Sequence, residues 1–155
     1  MGLIAASVSA ACAHAPLFST DRSVRIVSPA PMATVAAPVQ VSWHAAHLPT
    51  GAAQFVVFVD SPPIHPGQNL RAIASGDASC KPQAGCPDAA YLAARDIFLT
   101  KHDDVSIPFV AALSGLEGHD SLAIHEVTVV LVDARGTRVG EYTYSVQFRV
   151  RQATS

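Results

Sequence analysis

The sequence predicts an all-β domain, built as an antiparallel sandwich of about seven strands. Short runs rich in β-branched and aromatic residues recur along the chain, separated by clusters of Gly, Pro, Ser and Asp. No long stretch repeats its apolar residues with the 3.6-residue period of a helix. This strand count and spacing favour a sandwich with a Greek-key connection, and an up-and-down barrel is the alternative.

The first strands are predicted from alternating and continuous apolar runs. Residues 23–27 alternate briefly and end at a Ser-Pro-Ala-Pro turn signal. In 39–44 (VQVSWH) the alternation places both valines and Trp43 on one face, which predicts a core face. Residues 55–60 (FVVFVD) form a continuous apolar run, which is typical of a central strand covered on both faces.

A long, ordered excursion is predicted from Ser61 to Ala90, because this segment is rich in Pro, Gly, Ser and Asp. It contains Cys80 and Cys86, with a turn-rich loop between them that can bring the two sulfurs together. In an oxidising compartment such a pair is expected to form a local disulfide. Two free thiols in a cytosolic protein are the alternative.

The later strands end in the clearest pattern of the chain. Residues 91–95 are compatible with a helical turn or with the approach to a strand, and shorter strand candidates follow at 97–100 and 105–107. The strongest apolar run spans 122–133 and is dominated by β-branched residues. In the last strand, apolar and polar residues alternate, which predicts an antiparallel sheet with one face buried and the other in solvent. Its predicted buried face consists of Tyr142, Tyr144, Val146, Phe148 and Val150.

The N-terminal residues 1–13 are predicted to be the remnant of a secretory signal, because they are small, apolar and uncharged. No Lys or Arg precedes the apolar run, so the true start is expected upstream. Residues 8–12 (VSAAC) are similar to a bacterial lipobox, in which Cys12 would be lipidated and would anchor the protein to a membrane. Alternatively, residues 11–13 are an A-x-A cleavage site, and the protein is released.

Bulk composition narrows the class of protein. The 155 residues fit one domain, predicted at 23–151 after a tether at 14–22. Half of the residues are hydrophobic and only 14% are charged, which argues against disorder. The net charge of −2, without a block of basic residues, argues against a nucleic-acid partner. No apolar run reaches the roughly eighteen residues of a transmembrane helix.

Two groups of motifs resemble known domains. At 26–29 and 38–43, I-x-S-P followed by P-V-x-V-x-W resembles the first two strands of fibronectin type III and related Ig-like domains, in which the Trp fills the core. Residues 113–119 and 127–136 resemble the late strands of bacterial Ig-like modules, ending in a D-x-x-G turn. The resemblance covers most of 23–150 and implies an Ig-like sandwich. Because relatives serve as spacers, adhesin parts or ligand-binding modules, it does not choose among these functions.

Histidines are the residues most able to carry chemistry in this sequence. His44 ends the second predicted strand, His47 follows it, and His65 lies in the next long loop. If these three came together with Asp60 they would be candidate zinc or copper ligands, and solvent-exposed histidines are the alternative. His125 lies in the strongest strand and is predicted to be a core histidine satisfied by a neighbour rather than a catalytic base.

These observations predict a non-catalytic cell-envelope module, a small lipoprotein or secreted domain that binds another protein or spaces one from the membrane. The sequence contains no nucleophile elbow, phosphate-binding loop or dinucleotide fingerprint. We therefore expect no enzymatic activity and no cofactor. The alternative is a periplasmic protein that binds a metal or small ligand through His44, His47 and His65.

Overall fold

The computed structural model describes residues 23–108 and 124–151. Eight strands occur in these residues: β1 (Val24–Ser28), β2 (Thr34–Ala36), β3 (Val39–Ala45), β4 (Gln54–Val59), β5 (Ile97–Thr100), β6 (Asp104–Ile107), β7 (Ile124–Val132) and β8 (Arg138–Arg151). A 3-10 helix (Leu70–Ala74) and a short helix, α1 (Ala89–Ala93), lie between β4 and β5. The fold is therefore all-β, as predicted, with one strand more than the sequence indicated.

The strands form two sheets. The order is β1-β3-β6 in a three-stranded sheet and β2-β8-β7-β4-β5 in a five-stranded sheet. All neighbours are antiparallel except β2 and β8, which run parallel, so the prediction of a purely antiparallel sandwich is wrong. The physical reason is a crossover: the chain turns after β1 and joins the other sheet, where Met32 donates its backbone N–H to Gln147 and Ala33 accepts from Arg149.

The two sheets bury a shared apolar core. Its buried members come from strands of both sheets: Val24, Val39, Val41, Trp43, Phe55, Val57, Val59, Ile107, Val127, Val129, Leu131, Val146, Phe148 and Val150. Trp43 is 4% exposed, and its ring packs on that of Phe55 with the centroids 5.1 Å apart. The predicted core face of β3 is thus confirmed.

A second core covers the outer face of the five-stranded sheet. Alternate residues of β4 and β7 point away from the shared core, yet Val56 and Val130 are fully buried. Ile64, Leu70 and Leu92, which lie between β4 and β5, pack on them. This explains the continuous apolar runs of β4 and β7: each strand is covered on both faces, as the sequence predicted for β4.

Strand β8 departs from β7 in a wide bulge. Val139 pairs with Leu131 and Tyr144 pairs with Val129, so four residues of β8 face a single residue of β7. Gly140 has φ 76° there, a conformation that favours glycine. Tyr142 lies in the bulge and is 49% exposed, so its predicted place on the buried face is wrong. Beyond the bulge the predicted alternation is confirmed, with three buried apolar residues ending at Val150.

Candidate functional site

Residues 61–96, here the covering segment, are joined to the start of β8 by backbone hydrogen bonds. The N–H of Gly67 donates to the carbonyl of Arg138 at 3.2 Å, and the N–H of Arg138 donates to Gln68 at 2.9 Å. Leu70 donates its N–H to Gly136 at 2.9 Å. The segment that the sequence predicted to be a long, ordered excursion is therefore hydrogen-bonded to the sheet as well as packed on it.

The side chain of Arg138 connects the start of β8 to the covering segment. This side chain is buried, and its guanidinium donates to the carbonyl of Ile64 in the covering segment and to those of Glu141 and Tyr142 in the bulge. Burial lowers the pKa of Arg138, yet a guanidinium stays protonated in the pH range in which proteins fold. Three carbonyl oxygens thus take the place of a carboxylate as partners of this charge. In return, the guanidinium satisfies two carbonyls that the bulge leaves out of the ladder.

Asn69 connects the covering segment to the turn between β7 and β8. Its Nδ2 donates to the carbonyl of Arg135 at 2.9 Å and to the Thr137 hydroxyl at 3.1 Å. Its Oδ1 accepts from the N–H of Arg71 at 3.0 Å and caps the 3-10 helix. Gly136 has φ 80°, and a Cβ there would lie 3.3 Å from Leu70, so glycine permits both the turn and this close approach.

The predicted disulfide between Cys80 and Cys86 is confirmed, and it closes a loop beside α1. Asp77 connects the start of this loop to the helix. Its carboxylate accepts from the Ser79 hydroxyl at 2.6 Å and from the Tyr91 hydroxyl at 2.9 Å. Arg95 forms an ion pair with the same carboxylate at 2.8 Å and stacks over the Tyr91 ring. Hydrogen bonds thus hold the loop and the helix in a fixed relation.

The Asp77 network predicts a loss of stability in acid. The hydrogen bond from the Ser79 hydroxyl, followed by those from Tyr91 and the Ser79 N–H, lowers the pKa of Asp77 from 3.8 to about 2. A carboxyl whose pKa is lower in the folded state stabilises that state fully well above pH 3.8, and the contribution is lost as the pH falls toward 2. We expect Asp77→Asn to flatten the pH dependence of the urea midpoint in this interval.

The control for this experiment is Asp104→Asn, which removes an exposed carboxyl on β6 outside the Asp77 network. It should retain the wild-type pH dependence. An Asp77→Asn curve that runs parallel to the wild-type curve between neutral pH and pH 2 would contradict the role assigned to Asp77.

A cleft of about 270 Å³ opens between the disulfide loop, α1 and the turn between β7 and β8. Its apolar lining includes the buried side chains of Leu70 and Leu92 and the exposed Leu99 of β5. Its polar lining includes Gln54, Asn69, Arg71, Asp88 and Arg135. The cleft therefore combines buried apolar residues with two exposed arginines, as in sites that hold a ligand by apolar contact and orient it by a few polar groups.

A second polar cluster lies where β4 ends. Asp60 has φ 51°, and its Oδ1 accepts from the N–H of Glu126 at 2.8 Å. Its Oδ2 lies 2.6 Å from Nδ1 of His125, whose side chain is 1% exposed. A second opening of about 350 Å³ is lined by Asp60, Ser61 and Glu126 among others. The prediction that His125 is a core histidine satisfied by a neighbour is confirmed, and that neighbour is Asp60.

The structure does not bring the three candidate metal ligands together. His44 is exposed on the outer face of the three-stranded sheet, where it pairs with Arg25. His65 follows Ile64, which packs on the outer face of the other sheet. Asp60 is engaged by His125. Throughout 23–108 and 124–151, no three His, Cys, Asp or Glu residues are grouped to hold a metal ion.

Two further sequence predictions concern the membrane. Cys12, the candidate lipidation site, lies outside the described residues, as do the rest of the signal remnant and the tether. Within the part of the chain that the structure describes, no helix has the length and apolar character to span a bilayer.

Sequence reasoning missed the arginine-lined cleft and the role of Arg138. Arg71 and Arg135 stand in separate segments, and no motif links them. The only local signal was Asn69 before a short apolar run, which is typical of a helix N-cap. Its contact with the distant Arg135 turn depends on tertiary packing. Comparisons with known protein families, curated proteins and solved structures gave no match for this chain.

Proposed function

We propose that this protein is an exported, non-catalytic module of the Ig-like type, which binds a protein partner through the cleft beside its disulfide loop. The observation that carries the proposal is the construction of the covering segment. This segment lies outside the core that the two sheets share, and it is fixed by a second apolar core, a disulfide and the side chains of Arg138 and Asn69. A rigid scaffold that carries an elaborated connection is the usual arrangement of a recognition site.

The strand order supports the Ig-like part of the proposal. Without the edge strands β2 and β5, β1-β3-β6 faces β8-β7-β4. This corresponds to strands A, B and E on one sheet and G, F and C on the other, as in Ig-like sandwiches. The buried Trp43 on β3 is in keeping with the motif that resembles those domains.

The use of the acidic side chains supports a binding role over a catalytic one. Asp60 binds His125 and the backbone of Glu126, Asp77 holds the disulfide loop to α1, and Asp133 accepts from two N–H groups of its own turn. These carboxylates act as backbone and side-chain anchors. The guanidinium groups of Arg71 and Arg135, which line the cleft, form no ion pair among the described residues and are available to a partner.

Site-specific photo-crosslinking in the native host tests this proposal. A photoreactive amino acid replaces Ala89, which lines the cleft, or Ser106, which is exposed on β6. We expect a discrete protein adduct from position 89 and none from position 106. The same adducts from both positions, or none from position 89, would overturn the proposed binding surface.

The proposal places the module outside the cytoplasm, and the disulfide supports this because disulfides persist in oxidising compartments. For the N-terminus we propose lipidation at Cys12. Radiolabelled palmitate should then enter the full-length gene product but not its Cys12→Ala variant, which should be released from membranes or fail to mature. Equal labelling of the two proteins would contradict lipidation at Cys12 and favour cleavage at the A-x-A site.

A further inference from the structure

Two arginines of the cleft carry uncommitted charge. Within the described residues, neither the Arg71 nor the Arg135 guanidinium forms a hydrogen bond or ion pair. The neighbouring acids are engaged elsewhere: Asp88 accepts from the N–H of Tyr91, and Asp133 accepts from the N–H groups of Arg135 and Thr137. The N–H of Thr137 is the main cause that lowers the pKa of Asp133, and the charge of Arg135 adds to this without forming an ion pair. The exposed Asp88 also lines the cleft and accepts the N–H of Tyr91 through one carboxylate oxygen, so the cleft presents two unpaired guanidinium groups and one carboxylate.

The backbone that carries these arginines is held in place before any ligand binds. A single side chain, Asn69, accepts from the N–H of Arg71 and donates to the carbonyl of Arg135. Leu70 and Gly136, which adjoin the two arginines, are joined by a backbone hydrogen bond. Because the two segments are fixed to each other, ordering them on binding costs little entropy, which favours affinity.

The volume of the cleft and the exposure of its lining residues indicate what kind of ligand it binds. Its volume of about 270 Å³ is slightly below the range of roughly 300–1,000 Å³ typical of small-molecule sites. Leu99 stays 38% exposed, and both arginines are exposed. A free small acid would remain largely in solvent here, whereas a segment of a larger partner brings its own surface to cover Leu99 and the arginine stems.

Resting on the binding role proposed above, we propose that the cleft recognises an acidic peptide segment of the partner. A Glu or Asp carboxylate of that segment accepts from Arg71 and Arg135, and a neighbouring apolar side chain packs on Leu99 and the buried leucines of the cleft. Arginine suits this task because its planar guanidinium presents several donors to one carboxylate.

The test uses short blocked peptides with the central sequence Leu-Glu-Leu or its neutral analogue Leu-Gln-Leu, titrated into the isotopically labelled, disulfide-bonded protein. We expect the acidic peptide to shift the amide resonances of Arg71, Leu99 and Arg135 and to bind about tenfold more tightly than the neutral one, as loss of a charge-assisted hydrogen bond implies. Raising the salt to about 1 M, where the Debye length is about 3 Å, should reduce this preference.

Variants identify the groups responsible. The double variant Arg71→Gln/Arg135→Gln should bind both peptides equally, while Arg25→Gln, which removes an exposed arginine from β1, should keep the full preference. Both variants should retain the wild-type urea midpoint. The comparison of the two peptides on the wild-type protein stands even if the double variant does not fold.

The outcomes separate the ligand class from the proposed function. Equal binding of the two peptides at the cleft would overturn the acidic ligand, while a discrete adduct at position 89 would leave the binding surface intact. Tighter binding of free hexanoate than of the acidic peptide would overturn the peptide class. A preference that persists in the double variant would overturn the roles of Arg71 and Arg135.

Discussion

Replacing Trp43 by alanine should lower the free energy of unfolding by about 3–5 kcal/mol, as measured by urea unfolding with the disulfide intact. The side chain is 4% exposed and packs between strands of both sheets, in contact with the Phe55 ring. Truncation removes most of a large apolar surface from the shared core and leaves a cavity that the surrounding β-branched side chains cannot fill by rotation.

The matched control is Val27→Ala on the neighbouring strand β1, where the side chain is 56% exposed. Its cost should stay within about 0.5 kcal/mol, as for most surface substitutions. Trp43→Phe provides a second comparison. The indole Nε1 has no hydrogen-bond partner among the described residues, so this substitution removes packing and no hydrogen bond. A cost below about 1 kcal/mol for Trp43→Ala would contradict the assignment of Trp43 to the core.

Local alternation and apolar continuity were sufficient to predict the strands of the core. The side chains of β3 alternate between buried and exposed because its sheet has one face in solvent. The continuous apolar run of β4 correctly indicated a strand covered on both faces. What covers its outer face was not predictable, because Ile64, Leu70 and Leu92 do not share a helical or strand period.

Long-range contacts account for the predictions that differ from the structure. The periodicity of β8 placed Tyr142 in the core, but the bulge shifts the register, and a bulge depends on the partner strand. The parallel pairing of β2 with β8 likewise depends on the crossover after β1. No local pattern contains either interaction.

In the candidate site too, the features set by local sequence were predictable and those set by long-range contacts were not. The close pair Cys80 and Cys86 indicated a disulfide, because a short turn-rich loop joins its two members. The cleft was not predictable, because Arg71 and Arg135 become neighbours only through Asn69 and the packing of Leu70 on Gly136. The number of histidines pointed to His44, His47 and His65 instead. That prediction rested on composition, which does not place side chains in space.

Replacing Arg138 by methionine should lower the free energy of unfolding by about 3 kcal/mol, the scale of one or two hydrogen bonds to a charged group. Methionine keeps an aliphatic stem of similar shape, so the change removes mainly the donors. The carbonyl of Ile64 then has no guanidinium to bind, and those of Glu141 and Tyr142 lose their donor in the bulge. Arg25→Met, on the exposed side of β1, is the control and should change stability by no more than about 0.5 kcal/mol.

Amide hydrogen exchange of the Arg138→Met variant shows where this stability is lost. Because Arg138 joins the covering segment to β8, the amides of Gly67 and Leu70, which donate to Arg138 and Gly136, should exchange much faster than in the wild type. The amides of β4 and β7 lie between two cores, so their protection should fall only with global stability. Uniform acceleration in all of these amides would show that the covering segment unfolds together with the sandwich, and Arg138 would then stabilise the whole domain instead of holding the segment in place.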